Sequence, residues 1–215
     1  AQAGDLLLAA LRTNDVAPSI PRLLDLGVDP HQLTSALTGV LAQRLARRVC
    51  PSCAVYSEPS AQAVADLGLE SVMYAGCEWL TGQGCPQCRG TGYQGRVAIH
   101  ELLETNDEIR DLVSTRAPDH VIRDAAKRHG MVTLLDDGIA KAAEGFTTLE
   151  EVLRVVPCFP ASRVNDLFTF QPNGGRRHAP VASGSPTPVN SDAVSSRAIL
   201  VIEDDADTQA LLRLI

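Results

Sequence analysis

Cys50-Pro51-Ser52-Cys53 and Cys85-Pro86-Gln87-Cys88 are two short cysteine knuckles, and the second runs on through Arg89-Gly90-Thr91-Gly92-Tyr93-Gln94-Gly95-Arg96. Each C-x-x-C spacing brings two thiolates to one ion from a single tight turn. Two such pairs supply the four sulfurs of a closed tetrahedral zinc site. Four thiolates leave no coordination position for water or substrate, so Zn²⁺ at Cys50, Cys53, Cys85 and Cys88 is expected to be structural. The competing reading is buried free thiols, since cysteine is often a small core residue; a repeated C-x-x-C pair argues against it. Between Cys53 and Cys85 lie 31 residues, more than the roughly 15–20 of a simple ribbon. A small subdomain is therefore expected between the knuckles. Cys77 and Cys158 lack a paired neighbour and are read as structural and incidental.

The surrounding composition narrows the class. The chain has 215 residues, of which 45% are hydrophobic, enough for a packed core rather than wholesale disorder. Its formal charge of -7 gives no support for nucleic-acid binding. No apolar run is long enough to span a bilayer and no signal peptide opens the chain. Six cysteines, four of them in C-x-x-C pairs, suit a reducing cytosol with bound metal better than a disulfide framework. Ala1 in place of an initiator Met, and an apolar-periodic stretch at Ile215, read as a fragment of a longer protein.

Working outward from the knuckles, Leu6 to Leu11 is a continuous apolar run expected to form a buried strand. Ile20 to Leu26 reads as a helix stopped by Gly27. Asp29-Pro30 is a helix opening, an acid at the N-cap and Pro in the first turn. Leu33, Ala36, Leu37, Val40, Leu41 and Leu45 then recur at helical spacing, which predicts one long helix over Asp29–Val49. Arg44, Arg47 and Arg48 would sit in its last turns. A short helix is expected at Ala61 to Leu67 and a strand at Val97 to Leu103. Helices should follow from Asn106, from Pro118 to Gly130, from Thr133 to Glu144, and from Leu149 to Val155. The last is announced by two capping-box registers in Thr147-Thr148-Leu149-Glu150-Glu151. Pro157 to Arg197 is rich in Pro, Ser, Gly and Asn without a period, the composition of a disordered linker. Ala198 to Ile202 is an apolar strand that ends in Glu203-Asp204-Asp205.

The stretch Ala1 to Val156 resembles the C-terminal half of the type II secretion and type IV pilus assembly ATPases. The resemblance is carried by Ala1-Gln2-Ala3-Gly4 with Thr13-Asn14-Asp15, by Leu41-Ala42-Gln43-Arg44-Leu45 ahead of the first knuckle, and by Gly90-Thr91-Gly92-Tyr93, Gly95-Arg96 and Glu101-Leu102-Leu103 after the second. Gly130-Met131-Val132-Thr133-Leu134, Asp137-Gly138, Lys141, Gly145 and Thr147 to Arg154 extend it. It implies an α/β fold: residues 1–49 as the C-terminal part of a RecA-like P-loop ATPase core, 50–96 as a tetracysteine zinc-binding insertion, and 97–156 as a C-terminal helical bundle. It further implies a homo-hexamer that uses ATP and Mg²⁺, at the cytoplasmic face of the inner membrane, against an inner-membrane platform protein. The zinc subdomain would be a rigid projection for docking or subunit contacts.

Two departures bear on that expectation. Arg12 stands where the family's His box carries histidine, so a permanent cation replaces an imidazole. It reads as a phosphate sensor, as the mark of a weakened site, or as an exposed strand-end arginine. A P-loop needs Gly-Lys-[Ser/Thr], yet the only lysines are Lys127 and Lys141, each preceded by Ala. The resemblance places the P-loop upstream, and the fragment alone is expected to be inactive. Arg44, Arg47, Arg48 and Arg96 can be read as motor arginines that act on a neighbour's nucleotide or, as preferred here, as a solvated helix end with zinc-proximal salt bridges.

Residues 198–215 resemble the first strand and helix of a two-component receiver domain of flavodoxin-like fold, cut short before its phosphoacceptor. By position Glu203 and Asp204 would bind its Mg²⁺. Two alternatives come from other classes. Cys85 to Gly92 fits the C-x-x-C-x-G-x-G unit of the DnaJ-type chaperone zinc region, a protein-interaction module, but that region repeats the unit four times and here it occurs once. A response-regulator adaptor without ATPase activity rests on the tail alone.

Overall fold

The computed structural model describes residues 7–67, 77 and 79–156, and the backbone of 198–203. The linker expected over 157–197, Cys158 and Asp204 lie outside the described residues. Strand β1 (Leu7–Leu11) is followed by helices α1 (Ser19–Asp25) and α2 (Pro30–Ala36) and the long strand β2 (Leu37–Val49). The insertion between the knuckles holds β3 (Ala54–Tyr56), α3 (Ala61–Leu67) and β4 (Leu80–Gly82). Then come β5 (Tyr93–Glu104), α4 (Asp107–Ser114), α5 (Asp119–Arg128), α6 (Leu134–Ala143), α7 (Leu149–Val155) and β6 (Ala198–Glu203). The main sheet has the order β1-β6-β2-β5, and β3 pairs with β4 in a separate two-stranded ribbon. Strand β5 crosses the boundary expected at residues 96/97, so the insertion and the helical region share one strand.

The long helix expected over Asp29–Val49 is corrected by this arrangement. Asp29 does cap a helix, its carboxylate accepting the N–H groups of His31 at 2.9 Å and Gln32 at 3.2 Å. That helix ends at Ala36, and the backbone turns extended at Leu37, φ -73° and ψ 119°. From there β2 pairs antiparallel with β5, Val40 opposite Leu103 and Arg44 opposite Ile99. Val40, Ala42, Arg44 and Ala46 are buried in alternation, the period of a strand with one covered face. The pattern was hidden because one inward position carries an arginine and two carry alanine, a good helix former. Arg44 is satisfied there by carbonyls: it donates to Thr13 O at 3.2 Å, Asn14 O at 2.7 Å and Gln43 O at 3.1 Å. Its inward placement fixes the turn after β1 against the sheet, and it is not a helix-end cation.

Ile99 and Leu103 of β5, Val40 of β2, Ile20 of α1, Ile109 of α4, Ile122 of α5, Leu134 of α6 and Leu149 and Val152 of α7 form one buried core. The starts of α4 and α6 are secured locally. Asn106 accepts from Ile109 N–H at 2.9 Å, and Thr133 and Asp136 close a reciprocal capping box. Gly138 lets α6 lie on α7, because a Cβ there would stand 2.6 Å from Val152 Cγ1. The exposed edge of β5 is covered by α6: Asp137 accepts the His100 N–H at 2.8 Å, and Lys141 donates to Ala98 O at 2.7 Å while pairing with Asp137. An open ladder edge is thereby closed by side chains, which gives Asp137-Gly138 and Lys141 a physical role. Glu101 is buried between two elements and accepts Val16 N–H at 3.3 Å and Leu134 N–H at 2.9 Å. Burial raises its pKa, against the pull of those two amides.

Strand β6 forms as expected, and its place is new. It runs parallel to both neighbours, Ala9 opposite Leu200 on one side and Val40 opposite Leu200 on the other. The strand expected to open a separate receiver lies inside the sheet of residues 7–104.

Candidate metal centre

The chain reaches the first knuckle straight from β2 and leaves the second straight into β5. Because β2 and β5 are ladder partners, Val49 standing opposite Tyr93, the two knuckles are delivered side by side. Cys50 N–H donates to Gly92 O at 2.9 Å and Gln83 N–H to Cys53 O at 3.1 Å, so each knuckle is stitched to the other's flank. Glycine is required where they meet: a Cβ on Gly82 would collide with the Gly92 backbone, and one on Gly92 with Gly82 O. Arg89, Gly90 and Gly92 adopt left-handed φ values of 54°, 77° and 76°, which fold the second knuckle into its tight turn.

The four sulfurs converge, with all their atoms within 4.8 Å of one another. Sγ of Cys50 lies 3.9 Å from that of Cys85, Cys53 lies 3.8 Å from Cys88, and Cys85 lies 3.7 Å from Cys88. A tetrahedron with Zn–S bonds of about 2.3 Å has edges of about 3.8 Å. The spacing thus fits a zinc ion in a cysteine tetrad, and the purely thiolate donor set suits a soft or borderline ion. Cys50 and Cys88 are buried, Cys53 and Cys85 half-buried. Cys88 Sγ accepts the N–H groups of Cys85 at 3.1 Å and Gly92 at 3.3 Å. The Cys85 amide first, then that of Gly92, pulls its thiol down to about 6, whereas burial pushes Cys53 up to about 12. A coordinated cation deprotonates such thiols outright. Cys77 is buried as read from the sequence, and its carbonyl accepts the Tyr56 hydroxyl at 2.9 Å.

Arg47, expected in a salt bridge near the zinc site, does form one, and its partner Glu151, not foreseen as such, bolts the end of β2 to α7. Glu151, 1% exposed, takes five hydrogen bonds. Arg47 donates its N–H at 2.8 Å, Nε at 3.0 Å and Nη2 at 2.7 Å. Arg154 donates Nε at 2.7 Å and Nη2 at 2.6 Å. Burial alone would raise the Glu151 pKa, but the bonds from Arg154 and Arg47 outweigh it and bring it to about 2. Arg47 also lies 4.2 Å over the ring of Tyr93, whose hydroxyl is 3.1 Å from Thr148 Oγ1. Thr148 caps α7 through the Glu151 N–H at 3.2 Å. The Glu151 side chain does not return to close that box; it reaches β2. The insertion's own helix joins in, with Ser60 N–H donating to Glu150 at 3.3 Å. Arg48 stacks on Phe146, 5.6 Å from the ring centre.

The other sequence candidates stand apart from the cysteines. Arg12 follows β1, is exposed, and lines an open cleft of about 560 Å³ with Thr13, Asn14, Arg22, Asp25 and Asp119. Its side chain has no hydrogen-bond or ion-pair partner among the described residues. Glu203 is the last residue of β6, its backbone opposite Gln43. No helix among the described residues is long and apolar enough to cross a membrane.

A mixed α/β domain whose ladder-paired strands present a cysteine tetrad defines the class of protein. Residues 1–154 match the family model described as type II/IV secretion system protein. The chain belongs to that family. It is 48% identical over 150 residues to the type IV pilus assembly ATPase PilB of Thermus thermophilus, an alignment covering 70% of this chain and 17% of that protein. It is 43% identical over 152 residues to the type II secretion system protein HxcR of Pseudomonas aeruginosa, covering 71% and 28%. With the type II secretion system ATPase E of Vibrio cholerae it shares 37% over 156 residues, covering 71% and 30%. The chain thus spans less than a third of the length of each of these curated relatives.

Proposed function

We propose that the chain supplies the C-terminal part of a hexameric, RecA-like ATPase motor for type II secretion or type IV pilus assembly, working at the cytoplasmic face of the inner membrane on a membrane platform protein. The observation that carries this reading is the family match over residues 1–154, which includes both knuckles. Two of the relatives named above are ATPases by name. Neither Lys127 nor Lys141 follows a glycine, so ATP and Mg²⁺ are assigned to a P-loop elsewhere in a full-length motor, and this chain alone to no turnover. Arg12, exposed in its cleft, is the residue assigned to sensing a nucleotide phosphate. When bound, Zn²⁺ supplies a four-bond cross-link between the two knuckles.

In this reading the subdomain of residues 50–96 acts as a rigid projection. The bonds of Glu151 to Arg47 tie β2 to α7, and Ser60 N–H on Glu150 and the Tyr93 hydroxyl beside Thr148 tie the subdomain to the same helix, so β2, the tetrad and α7 move as one body. The tail's sequence supports an appended receiver opening at residue 198, with Glu203 and Asp204 as its Mg²⁺ ligands.

A segment exchange tests the motor reading. Residues 1–154 are put in place of the matching segment of the Thermus thermophilus ATPase, and ATP hydrolysis and surface pili are measured. The expected result is hydrolysis within about tenfold of the parent enzyme, a change of about 1.4 kcal/mol in the barrier. A folded, zinc-loaded chimera without ATPase activity counts against the assignment. So does ATP turnover above background by this chain alone.

A further inference from the structure

The turn that follows Arg12 is held by charged side chains from three other elements. Arg44 of β2 donates to the carbonyls of Thr13 at 3.2 Å and Asn14 at 2.7 Å. Arg123 of α5 pairs with Asp15 at 3.1 Å and with Asp119 of its own helix at 3.6 Å. Glu101 of β5 takes the Val16 N–H on Oε1 at 3.3 Å and the Leu134 N–H on Oε2 at 2.9 Å. Leu134 is the first residue of α6. One carboxylate thus joins the turn after Arg12 to the start of a helix far along the chain.

Glu101 is 4% exposed and has no ion pair among the described residues. Its charge is met by two amides, one on each oxygen, and loss of either leaves part of a buried anion unsatisfied. The Leu134 N–H is one of the unpaired donors of a helix start, where negative charge is favoured. The two bonds therefore support each other. A turn that moves away from Glu101 weakens its hold on α6. A turn drawn onto it strengthens that hold, and the Val16 bond, the longer of the two, has room to shorten. The cleft beside Arg12 adjoins the same turn. Thr13 and Asn14 line it together with Pro118 and Asp119 at the start of α5. Arg123 ties those two groups of residues to each other through Asp15 and Asp119.

We propose that the turn of residues 13–16 is a relay and Glu101 its positioning residue: a phosphate group bound at Arg12 draws the turn onto Glu101 and steadies the start of α6. The inference rests on the reading that Arg12 meets a phosphate, and it names where that contact is felt. Glu101 touches no ligand; it acts through the turn.

Amide hydrogen exchange on the full, zinc-loaded chain tests the relay with and without phosphate. Arg44→Met loosens the turn and leaves Glu101 in place. Exchange at Val16 and Leu134 is expected to rise together, about threefold or more, while Ile109, bonded to Asn106, keeps its rate. In Glu101→Gln one of the two amides faces the carboxamide NH2, so adding Arg44→Met should change nothing further at Leu134. A merely structural Glu101 would leave the two effects additive. Additivity overturns the relay, and so does a Leu134 that stays put while Val16 speeds up. If Arg44→Met does not fold, Asp15→Asn, which frees the turn from Arg123, takes its place with the same expectations. The second probe is sodium phosphate, against sodium chloride of equal ionic strength. It is expected to shift the Arg12 Nε resonance and to slow Leu134 about twofold or more in the parent, and to slow Leu134 in neither Arg12→Ala nor Glu101→Gln. A shift at Arg12 with no change at Leu134 overturns the relay. No shift at Arg12 overturns the phosphate assignment instead, and the Arg44→Met result decides the relay by itself.

Discussion

Cys50→Ser is expected to release the zinc and to unfold the region between the knuckles. Cys50 is fully buried, and its thiol is one of four converging sulfurs. The insertion has little else to hold it: Ala63, Leu67, Cys77 and Trp79 are its buried hydrophobic residues among those described. Zinc binding of about 10–16 kcal/mol in small domains far exceeds what those few side chains provide. The serine oxygen is a poor replacement for a thiolate in a tetrad of soft donors. Limited proteolysis should therefore cut the variant between Cys53 and Cys85 under conditions that leave the same stretch of the parent chain uncut. A chelator should do the same to the parent. Cutting that is equally slow in variant and parent would mean the insertion folds without its metal.

The second large effect falls on Glu151. Glu151→Ala removes the acceptor of five hydrogen bonds and leaves two guanidinium groups without it. Breaking a buried pair on one side costs about 3–5 kcal/mol. Arg47 and Arg154 keep 47% and 56% of their side chains exposed, so water recovers part of it, and about 2–4 kcal/mol is expected. The charge adds a pH signature. The folded pKa of about 2 lies below the ordinary 4.5, so the contribution is complete above about pH 4.5 and is lost as pH falls toward 2. Denaturant unfolding of the parent and of Glu151→Gln across that window isolates the term, because loss of zinc in acid is common to both. The stability gap between them should narrow as pH falls; a constant gap would show that the carboxylate's charge does not matter.

The chemistry of this chain was more legible than its path. The tetrad can be read from spacing alone, since a C-x-x-C pair is a local motif and needs no knowledge of the fold. The bounds of α3 and α7 follow from local capping and periodicity, and both helices lie where expected. The sequence of β2 points to helix because its inward face carries Arg44, whose partners Thr13 and Asn14 are 31 and 30 residues away. No window of sequence contains that compensation. Glu151 was legible only as half of a capping box, while its actual partner Arg47 lies 104 residues distant. The seat of β6 was not legible at all, because an apolar strand has the same pattern in any sheet that covers both its faces.

X-ray absorption at the zinc edge, with elemental analysis of the same purified chain, tests the central claim most directly. The expected result is about one zinc per chain with four sulfur neighbours at about 2.3 Å. A folded chain without zinc, or a first shell containing nitrogen or oxygen, would contradict it.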